Sequence, residues 1–224
     1  MGNEIERIES ILEDASEELR KSANVLWPTQ TDVSDIHESN LCLYIGHSFL
    51  KKRLERGKLK SPKLKRVYSI YNEVRLNQDI NKRLDLLAGK NDKSVLIYLQ
   101  AKRFDRKRLK VVEEIIEEIE NLNNYLNIYP PPEGYENSLK YLAIVISFWL
   151  VKNSDRYYLE WWDNMNKNFN KPQNCRSKLY EWLTEHILKN LKITDQKGSI
   201  KILDSKETKD GSEWYLLYLI FPLQ

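Results

Sequence analysis

Asp85, Gln100 and Lys102 are the residues whose types and spacing can do chemistry together. They lie in the segment RLDLLAGKNDKSVLIYLQAKRF. Val95 to Leu99 is an unbroken apolar run. Gln100 and Lys102 then follow two residues apart, so on a strand their side chains point to one face. If GKND turns the chain, the midpoint between Asp85 and Gln100 falls in or just past that turn, and the two residues stand opposite each other on neighbouring strands. The same parity puts Glu73, across NQDIN, on roughly the face of Asp85, unless the register slips by one. A carboxylate, an amide oxygen and an ammonium group then converge. A hard cation such as Mg²⁺ takes oxygen ligands of this kind, one or two carboxylates plus carbonyls, with water and substrate phosphate filling the rest. Asp85, the Gln100 side-chain oxygen and the Ala101 carbonyl meet that need. Lys102 would stabilise charge developing on a phosphorane or help position an attacking water.

The elements that must hold these residues can be read from periodicity. Ile5, Ile8, Leu12, Ala15 and Leu19 recur at three-four spacing, which predicts an amphipathic helix over residues 4–25 with a narrow apolar seam, free to dock on the domain or to pair with a second copy. Asp35 can cap a second helix running to about Lys52, with Ile36, Leu41, Tyr44, Ile45 and Phe49 inward. Three strands are expected at 67–76, 82–88 and 94–100, joined by NQDIN and GKND as an antiparallel meander. Residues 106–126 return to helical spacing, with Glu113, Glu114, Glu117, Glu118 and Glu120 toward water, and YPPPEG ends that helix. The apolar run 139–151 reads as a buried strand, although periodicity alone leaves a short buried helix open. DRYYLEWWDNMNK and CRSKLYEWLTEHILKNLK read as helices, and Ser199–Asp204 pairs with Glu213–Phe221 as a final hairpin. The expectation is a single domain over 1–224: a helix at 1–30, a core at 34–151, and a helical and hairpin extension at 152–224.

Among proteins of known class, the segment resembles the PD-(D/E)XK nuclease superfamily, whose core is a helix, a three-stranded meander, a helix and another strand. Asp85 matches its second-strand acid. Gln100 and Lys102 match the third-strand element in its Q-X-K form, found among Mrr-like restriction endonucleases. The resemblance spans about residues 34–151. It implies an α/β restriction-endonuclease-like fold and a metal-dependent endonuclease, using Mg²⁺ or Mn²⁺ on DNA in restriction, phage defence or repair. It also implies a further metal-site acid on the first helix, for which Glu38 is the candidate. Leu84 stands where proline is common in the family, and neutral Gln100 leaves one negative charge fewer for a metal. The other class of function is a nuclease-fold protein without catalysis that binds nucleic acid or a partner protein.

Plainer roles stand beside each of these. Asp85, Gln100 and Lys102 would form an ordinary strand-end salt bridge; Asp35-X-X-Glu38 has the form of a capping box; the aromatic cluster Tyr157, Tyr158, Trp161 and Trp162 packs more readily around the final hairpin than against bases. Two basic runs flank the motif. One holds Lys52, Arg53, Lys65 and Arg66, the other Arg103 and Arg106, and both suit a groove that tracks phosphates as well as a loop kept soluble by lysines.

Bulk composition bounds these readings. With 36 Lys and Arg against 33 Asp and Glu, charge alone implies no nucleic-acid binding. The content of 41% hydrophobic residues and only 7 Gly and 7 Pro describes a folded chain without low-complexity sequence. Cys42 and Cys175 lack metal-ligand spacing and fit buried thiols in a reducing cytosol. No apolar stretch approaches the ~20 residues of a bilayer span, and the acidic start is unlike a secretion leader, so a cytoplasmic protein is expected.

Overall fold

The computed structural model describes residues 2–26, 38–51, 68–74, 83–104, 114, 117–118, 121–150, 159, 197–208 and 211–224. It is a mixed α/β architecture built on one six-stranded sheet. The elements are α1 (Gly2–Leu26), α2 (Glu38–Lys51), β1 (Tyr68–Val74), β2 (Leu84–Lys90), β3 (Val95–Phe104), a 3₁₀ turn at Leu122–Asn124 running into the short α3 (Tyr125–Ile128), β4 (Leu139–Leu150), β5 (Lys197–Leu203) and β6 (Glu213–Leu223). The order across the sheet is β1-β2-β3-β4-β6-β5. β1, β2 and β3 form the expected antiparallel meander, β4 runs parallel to β3, and β6 pairs antiparallel with both β4 and β5. The run expected at 139–151 is thus a strand over Leu139–Leu150. The C-terminal hairpin joins the same sheet as the meander.

Alternation along the strands separates two faces. Leu86, Ala88, Val95, Ile97, Leu99, Ala101, Tyr141, Ala143, Val145, Trp214 and Leu216 form one face, packed on α1 and α2. Ser147 interrupts the apolar row of β4 on that face without leaving a polar group unpaired, because Trp214 Nε1 donates to its Oγ at 3.0 Å. Trp214 also stacks on Trp149, with ring centroids 5.0 Å apart.

The seam of α1 lies in this core: Ile8, Leu12, Ala15 and Leu19 are 0% exposed, as is Ile11 beside them, and Ile5 packs against the core partly buried. Arg20 holds Glu207 at 2.6 Å, and the Tyr218 hydroxyl donates to Glu9 at 3.1 Å, so the helix is anchored beside β5 and β6. Of the two uses the sequence leaves open for this seam, docking on the domain is the one the structure shows. The apolar stripe that would pair two copies is covered by the chain's own sheet, which leaves no driving force for pairing through it.

Gly89, on the opposite face, shows how closely the loop before β4 is packed. A Cβ there would lie 2.5 Å from the Tyr135 hydroxyl oxygen and 2.6 Å from its Cζ. Gly89→Ala is expected to push the Tyr135 ring away, breaking its 2.9 Å hydrogen bond to the Lys90 carbonyl. The cost should be about 2 kcal/mol, read as a lower denaturant midpoint.

Candidate functional site

The β2–β3 hairpin sets the geometry of the candidate site. Leu86 pairs with Leu99 and Gly89 with Leu96, a register that continues to Asp85 opposite Gln100. In the β1–β2 ladder, Asn72 pairs with Leu86 and Val74 with Leu84, which puts the backbone of Glu73 opposite that of Asp85. The parity expected from the two turns is therefore the observed one. Asp85, Gln100 and Lys102 lie on the face away from α1 and α2.

Two features differ from expectation. β3 does not end at Gln100 but continues to Phe104, because β4 offers it a parallel partner over Val95–Phe104. What ends at the motif is the β2–β3 ladder, whose last pair is Leu86 with Leu99. Past that point the Asp85 side chain takes the place of a strand partner, its Oδ2 accepting the Ala101 N–H at 2.7 Å. A group otherwise left bare where two strands part is thereby satisfied.

The second difference concerns the crossover between β3 and β4, which lies on this same face. Tyr98 meets Tyr125 edge-on at 5.7 Å, and Tyr125 meets Tyr129 at 4.9 Å. Gln100 is 3% exposed beneath these rings. Burial raises the pKa of Tyr125 well above the ordinary phenol value, and the Glu118 carboxylate adds to this while the Gln100 amide opposes it. Tyr129 is pushed up to about 12 by burial first and Glu118 next, with Gln100 again opposing and Asp85 contributing. Asp85, Gln100, Glu118 and Tyr129 therefore share one neighbourhood. Lys102 reaches Glu114 Oε2 at 3.7 Å.

The acidic helix expected to face water thus turns two of its carboxylates, Glu114 and Glu118, toward the motif. Glu114 and Glu118 are four apart, the spacing of one helical face, and so are Tyr125 and Tyr129 beyond the 3₁₀ turn. That pattern was the signal available in the sequence, and the purely solvated reading of the helix passed over it.

Glu38 opens α2. Phe49 meets Tyr68, and Gly46 lies against Ile70 and Leu86, so α2 runs opposite to β1. Eight helical residues back from Gly46 cover ~12 Å, about the distance from Ile70 to the end of β1. The Glu38 backbone thus stands at the same end of the sheet as Asp85 but on the other side of it; its side chain is outside the described residues, as is that of Glu73. Arg103 alternates away from Lys102 onto the α2 side, so it does not extend a cationic surface beside the motif. Lys52, Arg53, Lys65, Arg66 and Arg106 lie outside the described residues, as do Asp35, Cys175 and the aromatic cluster at 157–162. Cys42 is buried in the core.

Among the described residues, no three His, Cys, Asp or Glu side chains come together as a metal-binding group, and no helix is long and apolar enough to cross a membrane. No family model, curated protein or solved structure matches this chain.

Proposed function

We propose that the chain is a metal-dependent nuclease of the PD-(D/E)XK, restriction-endonuclease-like class, hydrolysing phosphodiester bonds in DNA in restriction, phage defence or DNA repair. One observation carries this reading: Asp85 stands in register with Gln100 where the β2–β3 ladder opens, with Lys102 next on the same face. The order of elements supports it, since a helix and a three-stranded meander precede a crossover and a strand parallel to the third.

The donor set suits a hard divalent ion in type but supplies few charges. Asp85, the Gln100 side-chain oxygen and the Ala101 carbonyl would hold Mg²⁺ or Mn²⁺, while Glu38, whose backbone lies on the other side of the sheet, is left out of this set. The ion would act as Lewis acid and lower the pKa of a bound water. Lys102 would sit beside the scissile phosphate or the water, its charge directed at the developing negative charge. Glu114 holds that ammonium in place, and Asp85, by bonding the Ala101 N–H, fixes the strand that carries both Gln100 and Lys102.

A second reading is favoured by the burial of Gln100 under Tyr125 and Tyr129. In it the fold is kept, hydrolysis is lost, and the chain binds nucleic acid or a partner protein.

Supercoiled plasmid with Mn²⁺ or Mg²⁺ separates the two. A nuclease nicks it, and Asp85→Asn and Lys102→Ala each reduce nicking at least about a hundredfold. Asp85→Asn is the sharper variant, since its amide oxygen still accepts the Ala101 N–H while the charge is gone. Plasmid left intact, together with a gel shift indifferent to metal and to both substitutions, would remove the hydrolase reading in favour of the second.

A further inference from the structure

The face that carries Asp85 also holds a half-open cavity of about 420 Å³ at its other end. Leu87 and Leu96, 2% and 1% exposed, make its floor. Tyr71 of β1 and Tyr135 of the loop before β4 stand at its sides. Tyr71 is 59% exposed, one of three large apolar side chains so open among the described residues. Tyr135 is fixed by its hydrogen bond to the Lys90 carbonyl.

The rim is polar and held in shape. Lys93 sits at φ 63° in the β2–β3 turn, a conformation supported by Asp92, whose carboxylate accepts from the Ser94 N–H at 3.0 Å. Its ammonium lies 4.0 Å from the centre of the Tyr135 ring. Asn91, beside it, accepts from Ser69 Oγ at 2.9 Å.

The register connects this cavity to the motif. Tyr71 is two residues from Glu73 and Leu87 two from Asp85, so the cavity opens one side-chain row, ~7 Å, from the Asp85–Gln100 row on the same face.

We propose that the cavity is a nucleobase pocket, taking one unpaired base of a nucleic-acid strand whose backbone crosses the Asp85 row. The inference deepens the nuclease reading and rests on it for the direction of the strand. An exposed tyrosine over an apolar floor gives a planar ring a stacking surface that any base can use. Asn91 and Glu133 offer an amide and a carboxylate to the base edge, and Lys93 offers a cation to the flanking phosphate. A base paired inside a duplex cannot present its face to such a wall, so the occupant is single-stranded or extruded.

The test is fluorescence anisotropy of a labelled single-stranded DNA of about a dozen nucleotides on the full chain, with EDTA present so that nothing is cut. Tyr71→Ala is expected to weaken binding about tenfold and Tyr71→Phe less than about twofold, since the ring and not the hydroxyl does the stacking. An abasic site scanned along the oligonucleotide should cost the same factor at one position, and nothing further in Tyr71→Ala. A flat scan, Tyr71→Ala binding as tightly as the parent, or a parent that binds no oligonucleotide overturns the pocket. Tyr71 is exposed at the sheet edge, so its loss leaves the core intact. The two proposals fail separately: an intact plasmid with a Tyr71-dependent scan removes the hydrolase and keeps the pocket, and nicking with a flat scan does the reverse.

Discussion

Gln100→Glu is expected to lose about 3 kcal/mol of stability at pH 7 and to recover it in acid. The substitution keeps the side-chain volume, so packing beneath Tyr125 and Tyr129 is unchanged and the effect is electrostatic. Gln100 is 3% exposed, with Asp85 and Glu118 nearby, while the neighbouring cation, Lys102, already has Glu114 as a partner. Burial and the like charges both disfavour a second carboxylate there. A loss of about 3 kcal/mol corresponds to a carboxyl pKa about two above the ordinary 4.3. The sign follows from linkage: with the folded-state pKa above the unfolded one, the variant matches its parent below about pH 4, falls behind as pH rises toward 6, and stays behind at a constant offset above.

The same variant weighs the two functional readings. If Asp85 and its neighbours hold a divalent cation, the added carboxylate is the charge that the Q-X-K form lacks, and millimolar Mn²⁺ should restore most of the lost stability by binding the folded state alone. Denaturant melts of parent and variant, with and without Mn²⁺, read this directly. A variant that Mn²⁺ does not rescue at pH 7 tells against a metal at this row and favours the non-catalytic reading.

The parts of this site that were legible in the sequence are those set by short range. A hairpin turn fixes which residues face each other, so the opposition of Asp85 and Gln100 follows from GKND and from parity, even though the turn sits at 91–94 and β2 runs on to Lys90. The three-four spacing of α1 and the turn signals around the meander are local in the same sense.

What sequence reading missed depends on partners far along the chain. Gln100 and Lys102 look like a strand end because they are polar, but β4 carries β3 on to Phe104. Glu114 and Glu118 look solvated because they are charged, until the crossover brings them over Lys102 and Tyr129. The α1 seam can serve a dimer as well as a core. Only its position over β5 and β6, themselves joined to β4, decides between them.

Those long-range contacts also leave the chain with a set of buried phenols, and these set its behaviour in alkali. Tyr68, Tyr98 and Tyr125 are each 0% exposed, and the Tyr68 and Tyr98 hydroxyls make no hydrogen bond. Burial is the main cause in all three of a pKa raised above the ordinary 10: Tyr68 to about 12, Tyr98 and Tyr125 in the same direction. For a group whose folded pKa is raised, the neutral form stabilises the fold fully below the unfolded value, and that advantage disappears as pH climbs toward the folded one. Stability should therefore be level up to about pH 10 and then fall by about 1.4 kcal/mol per pH unit for each phenol held neutral. Three such groups give about 4 kcal/mol per unit, enough to unfold a domain of ordinary stability before pH 12. The tyrosinate absorbance of these buried rings should appear together with unfolding in one cooperative step, after exposed phenols such as Tyr71 have ionised around pH 10. Tyr98→Phe removes a hydroxyl that has no hydrogen-bond partner and one of the titrating groups, so it should cost little at neutral pH and move the alkaline midpoint upward. Tyrosinate absorbance reaching the value for all 13 tyrosines while the fold persists would mean that the rings over Gln100 are open to water, and that the amide beneath them is within reach of a phosphate after all.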